Sequence, residues 1–321
     1  MNEIGDESDS DYSETQSVDS CEAFIHFESI RDPSTQLEEG ISLSWPGIYD
    51  DVNDGDEKVD SAIGENKRLR KLVLSTQLEE EELAPLFGGC QWAGTRLWGA
   101  AVRCIQYISG NLVPDMDSLD RHDGLMLPTN YDNRCSMLEL GCGLGVPGMI
   151  YHLLGGNVVL TDQIDIISQL EKNVKQNFPR TAVTSKCSIE TTSAEESADA
   201  DNEQQHTIQA MPLSWSRDGI CYLLQQLGRS TTGFDIVINC DCVFEPLYGK
   251  SWHLLNETID ELLKVNPQCI VVSSMERRGV HDGIDAFVEE MRDMDHVGSV
   301  DRVWCEEGKR KIEIYITRGI R

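Results

Sequence analysis

Short apolar runs alternate with amphipathic stretches through the second half of the chain, and this alternation predicts most of its secondary structure. Stretches with apolar residues three or four positions apart predict helices, and the compact apolar runs between them predict strands. The predicted strands are MLEL (137–140), NVVLTD (157–162), TAVTSKCSI (181–189), FDIVINCDCVF (234–244) and QCIVVSSM (268–275). The predicted helices cover 146–154, 163–178, a stretch that ends near 227, 248–265 and 282–294.

Two further predicted strands end the chain, DRVWCEE (301–307) and KIEIYITR (311–318), and Gly308 separates them as in a hairpin at a sheet edge. Five strand–helix alternations followed by a hairpin are typical of a single doubly wound α/β domain. We therefore predict a mostly parallel, seven-stranded, Rossmann-like sheet whose terminal hairpin is antiparallel. The apolar run at 234–244 is typical of a central strand buried on both faces.

The pattern is weaker in the first third of the chain. GTRLWGAAVRCIQYISGNL (94–112) has helical spacing, and NKRLRKLVL (66–74) alternates as a strand does. Residues 1–60 hold eighteen acidic residues against two basic ones, a net charge of 2 − 18 = −16. Such a segment cannot bury enough surface to offset its ordering entropy. We therefore predict an acidic, largely disordered leader over 1–65 and a folded domain over 66–321.

Two other segments stand out from their surroundings. ISLSWPGIYDD (41–51) is an apolar island within the acidic leader, and it is equally consistent with an incidental apolar patch and with a docking segment. The tract at 190–209 is acidic and of low complexity, so we predict a surface insertion there.

Composition narrows the classes of function. The formal net charge of −29 argues against general nucleic-acid binding, which needs a basic face, and favours a basic protein or peptide as partner. The first residues lack a basic start and an apolar run, and no stretch approaches the ~20 apolar residues of a membrane span, so we expect neither a secretory signal nor a membrane anchor. Eleven cysteines without a C-x-x-C pair predict reduced thiols and a cytoplasmic or nuclear location, and the scattered histidines predict no metal site.

The clearest chemical signal is MLELGCGLGVPG (137–148), in which a strand is followed by Gly141, Gly143 and Gly145 and then by a predicted helix. Alternate glycines let the backbone turn sharply and approach a ligand with no Cβ in the way. This strand–loop–helix unit is the usual place for a nucleotide-like cofactor in an open parallel sheet. Asp162 follows Gly141 by 162 − 141 = 21 positions, a distance that suits ribose binding in a nicotinamide or an adenosyl cofactor.

The glycine loop is one of several motifs that follow one another between residues 94 and 318. In chain order they are GTRLWGAA, LELGCGLGVPG, VVLTD, LSW (213–215), FDIVINCDCVFEPLY and SSMERRGVHDGIDAFVEEM. In this order they resemble the non-histone protein lysine methyltransferase family, within the seven-β-strand S-adenosylmethionine-dependent methyltransferases. The spacing of the glycines and the terminal hairpin also favour this family over nicotinamide enzymes.

The resemblance implies S-adenosylmethionine as cofactor. The implied contacts are Glu139, Gly141 and Gly143 to the methionine moiety, Asp162 to the ribose, Trp215 with nearby Trp98 to the adenine, and Cys240. Without the motifs, Trp98 is more simply interpreted as a core residue than as a wall of the cofactor pocket, and Trp215 fits an ordinary core or surface role as well as a functional one.

The implied catalytic positions are Asp241 and Phe244. An acid at position 241 could orient an incoming ammonium group and help it lose a proton, since only the neutral amine has a lone pair for attack. The family has the pattern Asp-x-x-Tyr at these positions. Phe244 therefore keeps an aromatic ring in the wall of the acceptor site but lacks the tyrosine's phenol hydroxyl. Asp241 has an alternative role as a cap for the following helix.

We therefore predict an S-adenosylmethionine-dependent enzyme that methylates a lysine side chain of a protein substrate. Positioning of two reactants can supply about 7–11 kcal/mol of the barrier, so few catalytic side chains are expected. Two alternatives stay open: a methyltransferase with arginine or a small molecule as acceptor, and a catalytically silent interaction protein that binds the cofactor.

Overall fold

The computed structural model describes residues 26–31, 38–51, 67–76, 91–112, 135–181, 206–305 and 311–321. Its strands are β1 (His26–Arg31), β2 (Glu38–Asp51), β3 (Lys67–Ser75), β4 (Ser136–Leu140), β5 (Asn157–Asp162), β6 (Ile208–Pro212), β7 (Ile236–Cys240), β8 (Ile270–Arg277), β9 (Val297–Cys305) and β10 (Lys311–Gly319). Its α-helices are α1 (Gly99–Leu112), α2 (Val146–Leu153), α3 (Ile164–Asn177), α4 (Arg217–Gln226), α5 (Glu245–Tyr248), α6 (Trp252–Val265) and α7 (Ile284–Arg292). A 3-10 turn covers Gln91–Thr95.

The larger of two sheets has seven strands in the order β6-β5-β4-β7-β8-β10-β9. The first five pair in parallel, and β10 runs antiparallel to both of its neighbours. This topology confirms the predicted doubly wound sheet with an antiparallel terminal hairpin. The chain leaves β4 toward β5 on one side and returns to β7 on the other, so the strand order reverses at β4, where open sheets bind ligands.

Hydrophobic cores cover both faces of this sheet. Side chains alternate along β5, so Val158 and Leu160 pack into one core while Val159 packs into the other. The first core collects apolar residues of α1, α2 and α3, and the second collects those of α4, α6 and α7. Burial on both faces explains why the central strands are apolar at nearly every position.

The edge strand beside β5 differs from the prediction. The third strand of the sheet is Ile208–Pro212 rather than the predicted 181–189, of which all but Thr181 lies outside the described residues. Ile208 pairs with Val158 and is fully buried, so the predicted insertion at 190–209 extends too far toward the carboxyl terminus. Only five residues of strand follow the acidic tract, which is too short a run for its pattern to stand out.

The acidic leader also needs correction. Within the predicted disordered stretch 1–65, β1 and β2 form an antiparallel sheet with β3, in the order β1-β2-β3. Ile41 and Leu43 on β2 join the first core of the large sheet, so the apolar island at 41–51 is part of the fold. The burial of these two side chains and the pairing of β2 with β3 stabilise the strand despite the acidic residues around it. The average composition of the segment does not show this, because it does not record which residues are buried. Residues 1–25, 32–37 and 52–66 lie outside the described part of the chain.

Amide side chains of α3 attach the small sheet to the domain. Asn177 accepts a hydrogen bond from the Val73 backbone N–H at 2.9 Å and donates one to the Val73 carbonyl at 2.8 Å. Asn173, which is fully buried, makes the same pair of bonds to Ser75 at 2.9 and 3.1 Å. Each asparagine thus pairs with the open side of β3 as a neighbouring strand would. None of the helices within the described residues has the length and apolar character needed to cross a membrane.

Replacing Asn177 tests this attachment. Asn177→Ala leaves the N–H and the carbonyl of Val73 without these partners, which typically costs about 1–3 kcal/mol. We expect the free energy of unfolding in urea to fall by that amount. Gln176→Ala removes an exposed amide one position earlier on the same helix and is the matched control. Equal stability of the two variants would contradict the role of Asn177.

Candidate functional site

A cavity of about 560 Å³ lies at the carboxyl ends of β4, β5 and β7. It is therefore at the reversal of strand order that the topology singles out. The sequence-predicted residues that line it are Trp98, Glu139, Gly141, Gly143, Asp162, Trp215, Cys240 and Asp241. Phe244 is not among its lining residues.

The backbone of the glycine loop forms the floor of the cavity. Gly141 and Gly143 have φ values of 60° and 52°, in the left-handed region that favours glycine. A Cβ on Gly141 would lie 2.8 Å from Cys242 Sγ and 2.9 Å from Trp215 Cζ2. The loop therefore keeps its bare backbone facing the cavity because a side chain has no room there.

Asp162 fixes the position of this loop. Its carboxylate accepts hydrogen bonds from the backbone N–H of Gly143 and that of Gln163, both at 2.7 Å. Burial raises the pKa of Asp162, and the two backbone hydrogen bonds partly oppose that rise. The acid predicted to bind ribose thus lies in the cavity wall and also ties the end of β5 to the loop after β4.

Glu139 is the penultimate residue of strand β4 and is 1% exposed. Burial raises its pKa to about 8, against a smaller lowering by the hydrogen bond from the Gly148 N–H at 2.8 Å. At neutral pH this carboxyl therefore holds a proton. A cationic ligand in the cavity would favour its ionised form.

Two tryptophans and three thiols complete the walls. The Trp98 indole N–H donates to the Ala93 carbonyl at 2.9 Å, which fixes the ring at the start of α1, and Trp215 follows β6. Cys142, Cys240 and Cys242 have pKa values raised well above the ordinary thiol, for Cys240 first by its hydrogen bond with Cys104 and for the other two first by burial. These thiols are therefore inert packing groups. The cysteines in the described residues are all free.

Asp241 is held by a partner that the sequence analysis missed. Arg278, at the end of β8, donates to both carboxylate oxygens of Asp241, with 2.9 Å between Nη1 and Oδ1, and also to Glu276 Oε2 at 3.0 Å. The Glu276 backbone N–H adds a bond to Asp241 at 3.2 Å. Asp241 is therefore fixed in one orientation, and these bonds replace the helix-capping role, because α5 begins after Phe244.

The Arg278 guanidinium also contacts two aromatic rings. It lies 5.4 Å from the centroid of Trp98 and 5.0 Å from that of Phe244, within the range of a cation–π interaction. Phe244, predicted as a catalytic residue, thus packs on Arg278 instead of facing the cavity. Arg278 could have been identified from the sequence as a basic residue directly after β8, the strand that pairs with β7. Among the described residues, no cluster of His, Cys, Asp or Glu could hold a metal ion.

Comparison with known proteins identifies the family. The sequence model of the family described as "Lysine methyltransferase" matches residues 87–192 and 182–294, more than half of the chain. The chain belongs to this lysine methyltransferase family. Its cofactor is therefore S-adenosylmethionine, and its fold is that of the S-adenosylmethionine-dependent methyltransferases.

Individual relatives match only part of this chain, and at low sequence identity. The secreted RxLR effector protein 48 of Plasmopara viticola is 33% identical over 186 residues, which cover 56% of this chain and 83% of that protein. Protein N-lysine methyltransferase METTL21A of Danio rerio is 24% identical over 179 residues, covering 56% of this chain and 64% of that protein. A solved structure of magnesium protoporphyrin IX methyltransferase from Synechocystis with bound SAM is similar at 13% identity and a TM-score of 0.40, over 74% of this chain and 90% of that one.

The residues of the cavity fit S-adenosylmethionine. The loop presents backbone where a Cβ at Gly141 would collide with its neighbours, which suits close approach of a ligand. Glu139 and Asp162 offer carboxyl groups to a cofactor that carries positive charge and ribose hydroxyls. Trp215 and Trp98 offer flat apolar surfaces to an adenine ring. These residues would hold the cofactor in the roles that the sequence motifs imply.

Gly141→Ala tests the cofactor loop. The added Cβ meets Cys242 and Trp215 at distances that force a shift, so we expect affinity for S-adenosylhomocysteine to fall by about tenfold or more, measured by isothermal titration calorimetry. Gly228→Ala is the matched control, because its φ of 65° imposes similar backbone strain while its Cβ would meet nothing within 4 Å. Equal affinity of the two variants would contradict the assignment of the loop.

Glu139→Gln tests the buried carboxyl. Between the ordinary pKa of 4.5 and the folded value of about 8, the folded chain keeps a proton that the unfolded chain has lost. The stabilisation from Glu139 is therefore complete below the lower value, declines as pH rises, and is lost above the higher one. We expect the free energy of unfolding of the wild type, relative to Glu139→Gln, to fall by up to about 1.4 kcal/mol per pH unit in this window. Glu289→Gln, at an exposed site, is the control, and a difference independent of pH would contradict the raised pKa.

Proposed function

We propose that this protein transfers a methyl group from S-adenosylmethionine to the side-chain amine of a lysine in a basic protein. The observation that carries the proposal is one cavity whose wall runs from the glycine loop to Asp241. A cofactor bound on the loop and an acceptor beside Asp241 would therefore share a single cavity. Family membership and relatives named as lysine methyltransferases support the choice of acceptor.

When bound, the cofactor supplies a methyl group on a positively charged sulfur: the amine lone pair forms the new N–C bond while the S–C bond breaks and its electron pair stays on sulfur. The protein's part is to orient the amine and exclude water. Asp241 is 6% exposed and fixed by Arg278, so it offers a carboxylate of defined direction to an acceptor N–H. The proton that the acceptor nitrogen loses goes to solvent outside the cavity, because both carboxylate oxygens of Asp241 already accept hydrogen bonds from Arg278.

Charge supports a basic acceptor. The whole chain has a formal net charge of −29, and Asp241 and Glu276 share the single guanidinium of Arg278 beside the cavity. A positively charged segment around the target lysine would be attracted to this surface. Free thiols at the described cysteines agree with a reducing compartment, and we place the activity in the cytoplasm or the nucleus.

Methyl transfer to proteins of a cell lysate tests the proposal. We expect purified protein with methyl-labelled S-adenosylmethionine to label a small set of proteins, and acid hydrolysis of these to release methyl-lysine. The Gly141→Ala variant should label these proteins much more weakly at a limiting cofactor concentration, while Gly228→Ala should label them as the wild type does. Methyl-arginine, or label only in small molecules, would replace the lysine acceptor with one of the two alternatives. No labelling by a protein that still binds S-adenosylhomocysteine would indicate a silent cofactor-binding protein.

A further inference from the structure

Two aromatic residues lie at opposite ends of the one-turn helix α5, and their backbone conformations differ. Phe244 precedes the helix in an extended conformation, with φ of −151° and ψ of 92°. Tyr248 ends the helix and its backbone N–H donates to the Phe244 carbonyl at 2.9 Å. Because Phe244 does not have helical dihedral angles, its side chain does not share the helix face of Tyr248.

Only one of the two lines the cavity. Tyr248 is a lining residue together with Asp241, Leu247, Ser251 and Leu254, whereas Phe244 is not. The Phe244 ring instead makes a cation–π contact with the Arg278 guanidinium, which lies 5.0 Å from the ring centroid. A hydroxyl added to Phe244 would therefore belong to the surroundings of Arg278 and not to the cavity.

Arg278 links the two sides of this arrangement. It binds both oxygens of Asp241, contacts Phe244, and lies close enough to Tyr248 for the two groups to interact electrostatically. Tyr248 on α5 and Asp241 directly after β7 thus both line the cavity, and both interact with Arg278. A carboxylate and a phenol in this relation can accept two hydrogen bonds from one nitrogen.

We propose that Tyr248 is a catalytic residue that supplies the phenol of the acceptor pocket, in place of the tyrosine that position 244 lacks. This inference rests on the proposed lysine acceptor. The phenol oxygen accepts a hydrogen bond from the acceptor N–H, and Asp241 accepts another, so that the nitrogen lone pair points toward the cofactor. The transferred atoms are those of the step described above, and Tyr248 neither gains nor loses a proton.

Substitutions at the two aromatic positions test this role. Tyr248→Phe keeps the ring and removes the phenol, so we expect kcat for methylation of the labelled protein to fall by about 10- to 100-fold. The affinity for S-adenosylhomocysteine and the melting temperature should stay as in the wild type. Adding Phe244→Tyr to this variant should not restore kcat, because position 244 faces Arg278. Tyr222→Phe, which removes an exposed phenol on α4, is the matched control and should leave kcat unchanged.

Several results would overturn the role of Tyr248. An unchanged kcat in Tyr248→Phe, or a change confined to the acceptor KM, would show that the phenol takes no part in the transfer. Rescue by Phe244→Tyr would place the functional aromatic residue at position 244, and a parallel loss of cofactor affinity would make Tyr248 part of the cofactor wall. In each of these cases the wild type still labels protein. A wild type that labels no protein would instead overturn the proposed function, and this inference with it.

Discussion

The hydrogen bond from the Gly143 backbone to the Asp162 carboxylate is the contact on which the cavity depends. It joins the end of β5 to the glycine loop, in which Gly141 and Gly143 have no side chain that could pack and hold the backbone in place. A second bond, from the Cys142 N–H to the Thr161 carbonyl at 3.0 Å, reinforces the same junction. Since the loop must approach a ligand closely, its rigidity has to come from the neighbouring strand.

Buried carboxyl groups surround this loop, and the protein accommodates each of them differently. Glu139 is 1% exposed, and burial raises its pKa to about 8, so it holds a proton at neutral pH. Asp162 is satisfied by two backbone N–H groups, and Asp241 by a guanidinium. An isolated buried charge is costly, so each of these arrangements lets an acidic group remain beside the cavity. The arrangement suits a cationic cofactor.

The parts of the fold that were predictable are those with burial on both faces. The segments of β4, β5 and β7 are apolar at successive positions, and the helices between them have clear spacing. The strands that were missed, β1, β2 and β6, lie in the small sheet or at the edge of the large one. There a strand needs few apolar residues, because backbone pairing and one or two buried side chains suffice, and nearby acidic residues dominate the composition.

The site shows the same division between local and distant information. The glycine loop with Glu139 is continuous in sequence, and Asp162 lies at a characteristic distance from it, so these residues were identified from motifs. Arg278 lies 37 positions after Asp241, and the two meet only because β8 pairs with β7. No short sequence spacing predicts that contact. It could have been inferred only from the adjacency of β7 and β8 in a doubly wound sheet, which places their carboxyl ends side by side.

The motif at 241–244 shows why residue type at a given spacing is not sufficient to assign a role. It places an aromatic residue three positions after Asp241, and Phe244 matches that position in sequence. The direction of its ring depends on where α5 begins, and the helix begins at Glu245, one residue too late to include Phe244. The ring is left to stack on Arg278, and the next aromatic side chain along the helix, Tyr248, lines the cavity instead. A single backbone boundary therefore determines which of the two aromatic residues lines the cavity.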